Sequence, residues 1–194
     1  TLNPSSAASD VYKRQDIHDD QGEIALCILS AVNVGGLNDL SELENICDLA
    51  VRALEQIIDY QDYPVKAAEV STKRRRSLGI GYIGLAHYLA KNGVKYSDPK
   101  AWELVDRLSE AFQFHLLKAS NNIAKEKGKC EAFDGTKYAD GQLPIDHYKK
   151  DVDKIVPHKQ RMAWESLRKD IAKYGLRHST CLLYTSDAAD DGLS

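Results

Sequence analysis

The chain has 194 residues, 43% apolar and 28% charged, with a formal net charge of −3. That is enough apolar material for one domain with a sizeable core, while the slight acidity and a pI near 6.1 remove any electrostatic motive for a nucleic-acid or membrane-surface partner. No apolar run approaches the roughly 20 residues that span a bilayer, and no basic start precedes an apolar core of signal-peptide type, so the expected location is cytoplasmic.

The two ends differ from the rest. Residues 5–15 read SSAASDVYKRQ and residues 181–190 read CLLYTSDAAD, and neither shares the apolar periodicity of its neighbours. Codons chosen for the second segment reverse-complement into a strand that, one frame over, encodes the first. One DNA element thus flanks the insert in both orientations, and it resembles a transposon-end adapter used in preparing sequencing libraries. Residues 1–15 and 181–194 are therefore expected to be adapter-derived, disordered tails, and residues 16–180 to carry the fold.

In chain order, residues 22–36 (GEIALCILSAVNVGG) place Ile24, Leu26, Ile28, Val32 and Val34 among small residues. An apolar run without charged alternation predicts a strand covered on both faces, as in a parallel α/β sheet, ended by the Gly35-Gly36 pair. Ser41 and Glu44 stand at capping-box spacing for a helix. Leu43, Ile46, Ala50, Ala53, Leu54, Ile57 and Ile58 fall on one face of it, as far as the polar turn at residues 59–64. A second helix is predicted over residues 83–92, with Gly93 as left-handed terminator. The longest helix opens at Asp98 and Pro99 and runs to Gly128, burying Ala101, Val105, Leu108, Phe112, His115, Leu116, Ala119 and Ile123. Residues 130–157, punctuated by Gly, Asp and Pro, form a surface excursion, and an amphipathic helix over residues 162–174 ends at Gly175.

Four features could carry chemistry. Residues 79–84 (GIGYIG) satisfy the GxGxxG pattern of dinucleotide-binding folds. That motif needs an apolar strand leading into it, and residues 71–77 (STKRRRS) are charged. The reading preferred is close backbone packing at a turn into the second helix; a dinucleotide-binding oxidoreductase is the alternative. The run Lys73, Arg74, Arg75, Arg76 reads as a solvated face rather than a phosphate or nucleic-acid site, since no aromatic residues interleave it. The six histidines lack a second ligand at metal-binding spacing, so no metal site is expected, and His115 on its apolar stripe reads as a satisfied core residue. The cysteines Cys27, Cys47, Cys130 and Cys181 are scattered without CxxC pairing, as expected for reduced thiols. Cys27 falls in the middle of the predicted strand, where statistics alone make it a small core residue.

Resemblance changes the reading of Cys27. Residues 22–37 (GEIALCILSAVNVGGL) resemble the strand of the class I ribonucleotide reductase large subunit that carries one of its two redox-active barrel cysteines. The likeness continues in family order through ALEQIIDYQDYP (53–64), RRSLGIGYIGLAHYLAKNG (75–93), YSDPKA (96–101), LLKASNNIAKEKG (116–128), LPIDHYKKDVD (143–153) and WESLRKDIAKYGLRHST (164–180). It covers essentially all of residues 16–180 and is nearest the class Ia form.

The resemblance implies an α/β fold: part of the family's ten-stranded barrel, mainly helical over this stretch. It implies reduction of ribonucleoside diphosphates to 2′-deoxyribonucleoside diphosphates, for DNA precursor synthesis. In that chemistry a thiyl radical on one cysteine removes the 3′ hydrogen, and a neighbouring cysteine pair supplies two electrons and closes to a disulfide. Cys27 matches one member of the pair. Its partner would come from a different strand, with Cα atoms about 5 to 6 Å apart. Leu29, two residues on and on the same face, would point towards the substrate cavity, with core packing as the alternative reading.

The implied partners are a radical-generating small subunit that holds the metal, a second large subunit, a thioredoxin or glutaredoxin reductant, and nucleotide effectors. None of the family's Asn-x-Cys-x-Glu radical segment, effector-binding helices, phosphate loop, relay tyrosines or shuttle cysteines is present in residues 16–180. This stretch alone is therefore expected to be inactive, to bind no cofactor and to be marginally stable. A self-contained helical interaction module with an inert Cys27 is the alternative. Cys47 and Cys130 match no family role and read as ordinary thiols.

Overall fold

The computed structural model describes residues 22–147, 150–155 and 159–182. Of the expected tails at residues 1–15 and 181–194, residues 1–15 and 183–194 lie outside the described residues. The elements are β1 (Ile28–Asn33), α1 (Glu42–Tyr60), α2 (Lys66–Arg75), β2 (Leu78–Ile83), α3 (Leu85–Lys91), α4 (Pro99–Lys127), α5 (Trp164–Tyr174) and β3 (Cys181–Leu182), with short 3-10 turns between them. Helix dominates, and the three strands form one parallel sheet in the order β1-β2-β3. Parallel neighbours require long crossovers; α1 and α2 supply the first, and α3, α4 and α5 the second.

The core lies between the helices and one face of the sheet. Leu43, Cys47, Val51, Leu54 and Ile58 of α1 meet Leu108, Phe112, Leu116, Leu117 and Ile123 of α4, with Leu78 and Ile80 of β2 beneath them. Phe112 is fully buried and receives the Tyr82 ring edge-on at 5.6 Å between centroids, an arrangement favoured by the ring quadrupoles. A Phe112→Ala cavity here would cost about 3 to 5 kcal/mol.

Several expectations need correction. Residues 22–27 lie outside the strand, so Cys27 precedes β1. The strand is not covered on both faces: its burial alternates, and Leu29 is exposed on the open side. The predicted capping box is absent. Ser41 makes no side-chain cap but donates its backbone N–H to Asp39 Oδ1 at 2.8 Å, while Glu44 pairs with Lys118 at 2.6 Å. The buried stripe of α1 is rotated from the predicted one, so that Ala53 and Ile57 are exposed and Cys47, Val51 and Glu55 are inside.

The run at residues 73–76, read as a solvated face, forms the end and C-cap of α2, a helix buried through Ala67, Ala68, Ser71 and Thr72. Lys73, Arg74 and Arg75 do face outwards, but Arg76 is buried. Residues 78–83 form the central strand rather than a turn, because the charges stop at Arg76 and Leu78 and Ile80 bury one face.

α4 runs as predicted to Gly128 (φ 87°), although Asp98 makes no side-chain cap to it. His115 is buried as expected, but its Nδ1 has no hydrogen-bond partner. Within residues 130–155 three 3-10 turns alternate with loops, and Cys130, Phe133 and Leu143 are buried. β3 shows that Cys181 and Leu182 are ordered as a strand. β2 offers an unpaired backbone edge, and edge pairing recruits the next chain segment through N–H and C=O groups whatever its side chains.

Candidate functional site

The open face of the sheet carries the candidate site. Cys27 and Leu29 lie two residues apart on that face, opposite Gly79 in the β1–β2 register, where Leu29 pairs with Gly79. A Cβ added at Gly79 would fall 2.6 Å from Leu29 Cδ2 and 3.3 Å from Cys27 Sγ. The glycine is thus the floor on which both side chains rest. Cys27 is exposed and free, and partial desolvation pushes its thiol above the usual range. Leu29, 61% exposed, presents an apolar face beside the sulfur. Cys47 is fully enclosed and its thiol is pushed up to about 12 by burial; Cys130 is also buried, with its thiol raised chiefly by desolvation. Of these three cysteines only Cys27 is accessible.

Gly84, the last glycine of the GxGxxG pattern, serves packing. Gly84, in the left-handed region at φ 78°, begins α3 where a Cβ would fall 2.3 Å from Asn33 Oδ1. Asn33 in turn accepts a hydrogen bond from the Gly35 N–H at 3.1 Å, capping the turn that ends β1.

Behind the sheet lies a buried ionic cluster that sequence reasoning missed. Glu55, 1% exposed, sits on α1. Its Oε2 accepts from Arg76 Nε at 2.7 Å and His178 Nε2 at 3.0 Å, and its Oε1 accepts from Arg177 Nε at 2.8 Å. Lys127 Nζ stands 3.9 Å from Oε1. Arg76 also donates to Asp59 Oδ2 at 2.7 Å and Oδ1 at 3.0 Å. Burial acts to raise the Glu55 pKa, but hydrogen bonds from His178, Arg76 and Arg177 outweigh it and hold the carboxyl down to about 2.

Burial lowers the pKa of His178 against the pull of Glu55. The ring is therefore neutral at pH 7, with its proton on Nε2, so Nδ1 accepts from the Ser120 hydroxyl at 2.9 Å. Ser120 Oγ accepts in turn from the His178 backbone N–H at 3.2 Å. Removing one partner of such a buried set costs about 3 to 5 kcal/mol, because the remaining charges stay desolvated. The signal that could have revealed it was Glu55 adjoining the apolar stripe of α1; no spacing rule linked it to Arg76 or His178.

Among the described residues no group of three or more His, Cys, Asp or Glu is placed to hold a metal ion.

Comparison with known proteins follows the same lines. The sequence model of the family described as ribonucleotide reductase, barrel domain, matches residues 5–185. The chain is 59% identical over 166 residues to the ribonucleoside-diphosphate reductase subunit alpha of Haemophilus influenzae, covering 86% of this chain and 22% of that protein. It is 54% identical over 123 residues to the ribonucleoside-diphosphate reductase 1 subunit alpha of Escherichia coli, covering 63% and 16%. It is 40% identical over 167 residues to the subunit alpha of Enterobacteria phage T4, covering 85% and 22%. The chain thus spans about a fifth of the length of these relatives. With a parallel sheet, an outer layer of helices and the match over nearly all its residues, the chain belongs to the ribonucleotide reductase barrel-domain family.

Proposed function

We propose that residues 16–180 are part of the catalytic subunit of a ribonucleoside-diphosphate reductase, and that Cys27 is one of the two thiols that reduce the substrate. The net change is balanced. A ribonucleoside diphosphate and two thiols give the 2′-deoxyribonucleoside diphosphate, one water carrying the former 2′ oxygen, and a disulfide between Cys27 and a cysteine on another strand. The two thiols lose two electrons and two protons, and a dithiol reductant of thioredoxin or glutaredoxin type restores them. Leu29 supplies the apolar wall against which the nucleotide packs. The radical that starts each cycle comes from a separate, metal-containing small subunit; nucleotide effectors and a second large subunit complete the assembly.

The observation that carries this reading is the exposed Cys27 beside Leu29 on the open face of the sheet, over Gly79. A catalytic dithiol must be reached by both substrate and reductant, and Cys47 and Cys130 are too enclosed for either. The test is the full-length large subunit carrying Cys27→Ser, assayed with its small subunit and a dithiol reductant on a ribonucleoside diphosphate. Multiple turnover should be abolished while substrate binding persists. Turnover at the unsubstituted rate would reject the role.

A further inference from the structure

Arg76 is the only non-glycine residue with positive φ among the described residues, at 49°. That conformation is costly for a branchless but long side chain and persists only where the surroundings over-determine it. Glycine or asparagine would take the bend more readily. What arginine gains there is reach: its guanidinium enters the Glu55 cluster and bridges Glu55 to Asp59. Glu55 also holds Arg177 and His178, which head the segment leading into β3.

From these anchor points the strands are stitched within a few residues. The Ser179 N–H donates to Arg75 O at 2.9 Å and the Leu78 N–H to Thr180 O at 3.0 Å; the Ile28 N–H donates to Ser77 O at 3.3 Å. Ser77 and Ser179 join their hydroxyls at 3.4 Å. One residue beyond Leu78 is Gly79, the floor under Cys27 and Leu29.

We infer that Glu55 is a positioning residue for the reductive site: one buried carboxylate, through Arg76, Arg177 and His178, sets the offset of β2 against β1 and so the seat of Cys27 and Leu29. The inference rests on the reading of Cys27 as a redox thiol. A rigid seat raises the effective concentration of one sulfur at the other, so loosening it makes the disulfide less favoured.

The experiment uses the full-length large subunit. Unsubstituted protein, Glu55→Gln, Arg177→Lys and Glu110→Gln are equilibrated in mixtures of reduced and oxidised dithiothreitol and quenched with acid. The free thiols are alkylated and the Cys27 peptide is quantified by mass spectrometry. Glu110 is the control: it too is a buried carboxylate, but it gathers Arg161, Met162 and Trp164 far along α4 from the strand starts. Glu55→Gln should shift the thiol–disulfide equilibrium about tenfold towards the thiols, about 30 mV for a two-electron couple. Arg177→Lys, on a partly exposed side chain, should shift it about threefold in the same direction, and it decides the matter alone if Glu55→Gln does not fold. Glu110→Gln should leave the equilibrium unchanged whatever its melting point. Equilibria for Glu55→Gln and Arg177→Lys equal to the unsubstituted protein's, or a Glu110→Gln shift as large as theirs, would overturn the positioning role while leaving the Cys27 disulfide intact. If the unsubstituted protein forms no Cys27 disulfide at all, the redox reading falls, and this inference with it.

Discussion

Replacing Gly79 by alanine separates the stability of the fold from the function of the site. The added Cβ would lie 2.6 Å from Leu29 Cδ2 and 3.3 Å from Cys27 Sγ, whereas carbon atoms in contact sit about 3.5 to 4.0 Å apart. The Leu29 methyl must therefore retreat by about 1 Å. Leu29 is a flexible side chain on an open face, so it can turn away at little cost, and an alanine in a strand loses about 0.5 to 1 kcal/mol less conformational entropy on folding than a glycine. The net change in stability should stay within about 1 kcal/mol. The site should suffer more, because the apolar wall beside Cys27 moves by about 1 Å, and a misplacement of that size away from the chemistry can cost on the order of 100-fold in rate. On the proposed reductive role, kcat/KM for a ribonucleoside diphosphate should fall 10- to 100-fold, equivalent to about 1.4 to 2.7 kcal/mol of transition-state stabilisation. Steady-state reduction by the full-length large subunit with its small subunit, alongside urea unfolding of the same variant, reads both quantities. Unchanged kcat/KM would refute the argument, and so would an activity loss accompanied by more than about 2 kcal/mol of destabilisation.

Gly84→Ala should behave in the opposite way. At φ 78° and with a Cβ 2.3 Å from Asn33 Oδ1, it combines left-handed strain with loss of the Asn33 contact to Gly35, and unfolding should come about 2 to 3 kcal/mol earlier in a denaturant titration. Acid should weaken the fold in two stages. His178 has a folded pKa below its ordinary 6.5, so its contribution is complete above pH 6.5 and is lost as pH falls below that, when the unfolded chain takes up a proton that the folded one resists. Burial of His115 acts in the same direction. Glu55, held down to about 2 from an ordinary 4.5, contributes on the order of 3 kcal/mol above pH 4.5, lost as pH falls towards 2. Urea midpoints measured from pH 8 to 3 should show both declines, and His178→Gln should flatten the upper one; an unaltered upper decline in that variant would assign it elsewhere.

Local pattern in the sequence was sufficient wherever a single element's own chemistry decides. The 3.6-residue periodicity of α4, its Pro99 start and Gly128 stop, and the terminators Gly93 and Gly175 all act within one element. Family likeness singled out Cys27 and Leu29, already neighbours along one segment, and the tertiary structure placed Gly79 beneath them. Three matters depended on what lies across the fold. Residues 78–83 were a turn or a strand depending on whether a neighbour offered a parallel edge, and β1 did. The helix α2 was hidden because small residues, not large apolar ones, bury its inner face. The Glu55 cluster joins residues up to 123 apart in sequence. No window of sequence can report which charges are desolvated together, because a carboxylate's value inside a protein is set by the partners that folding delivers to it.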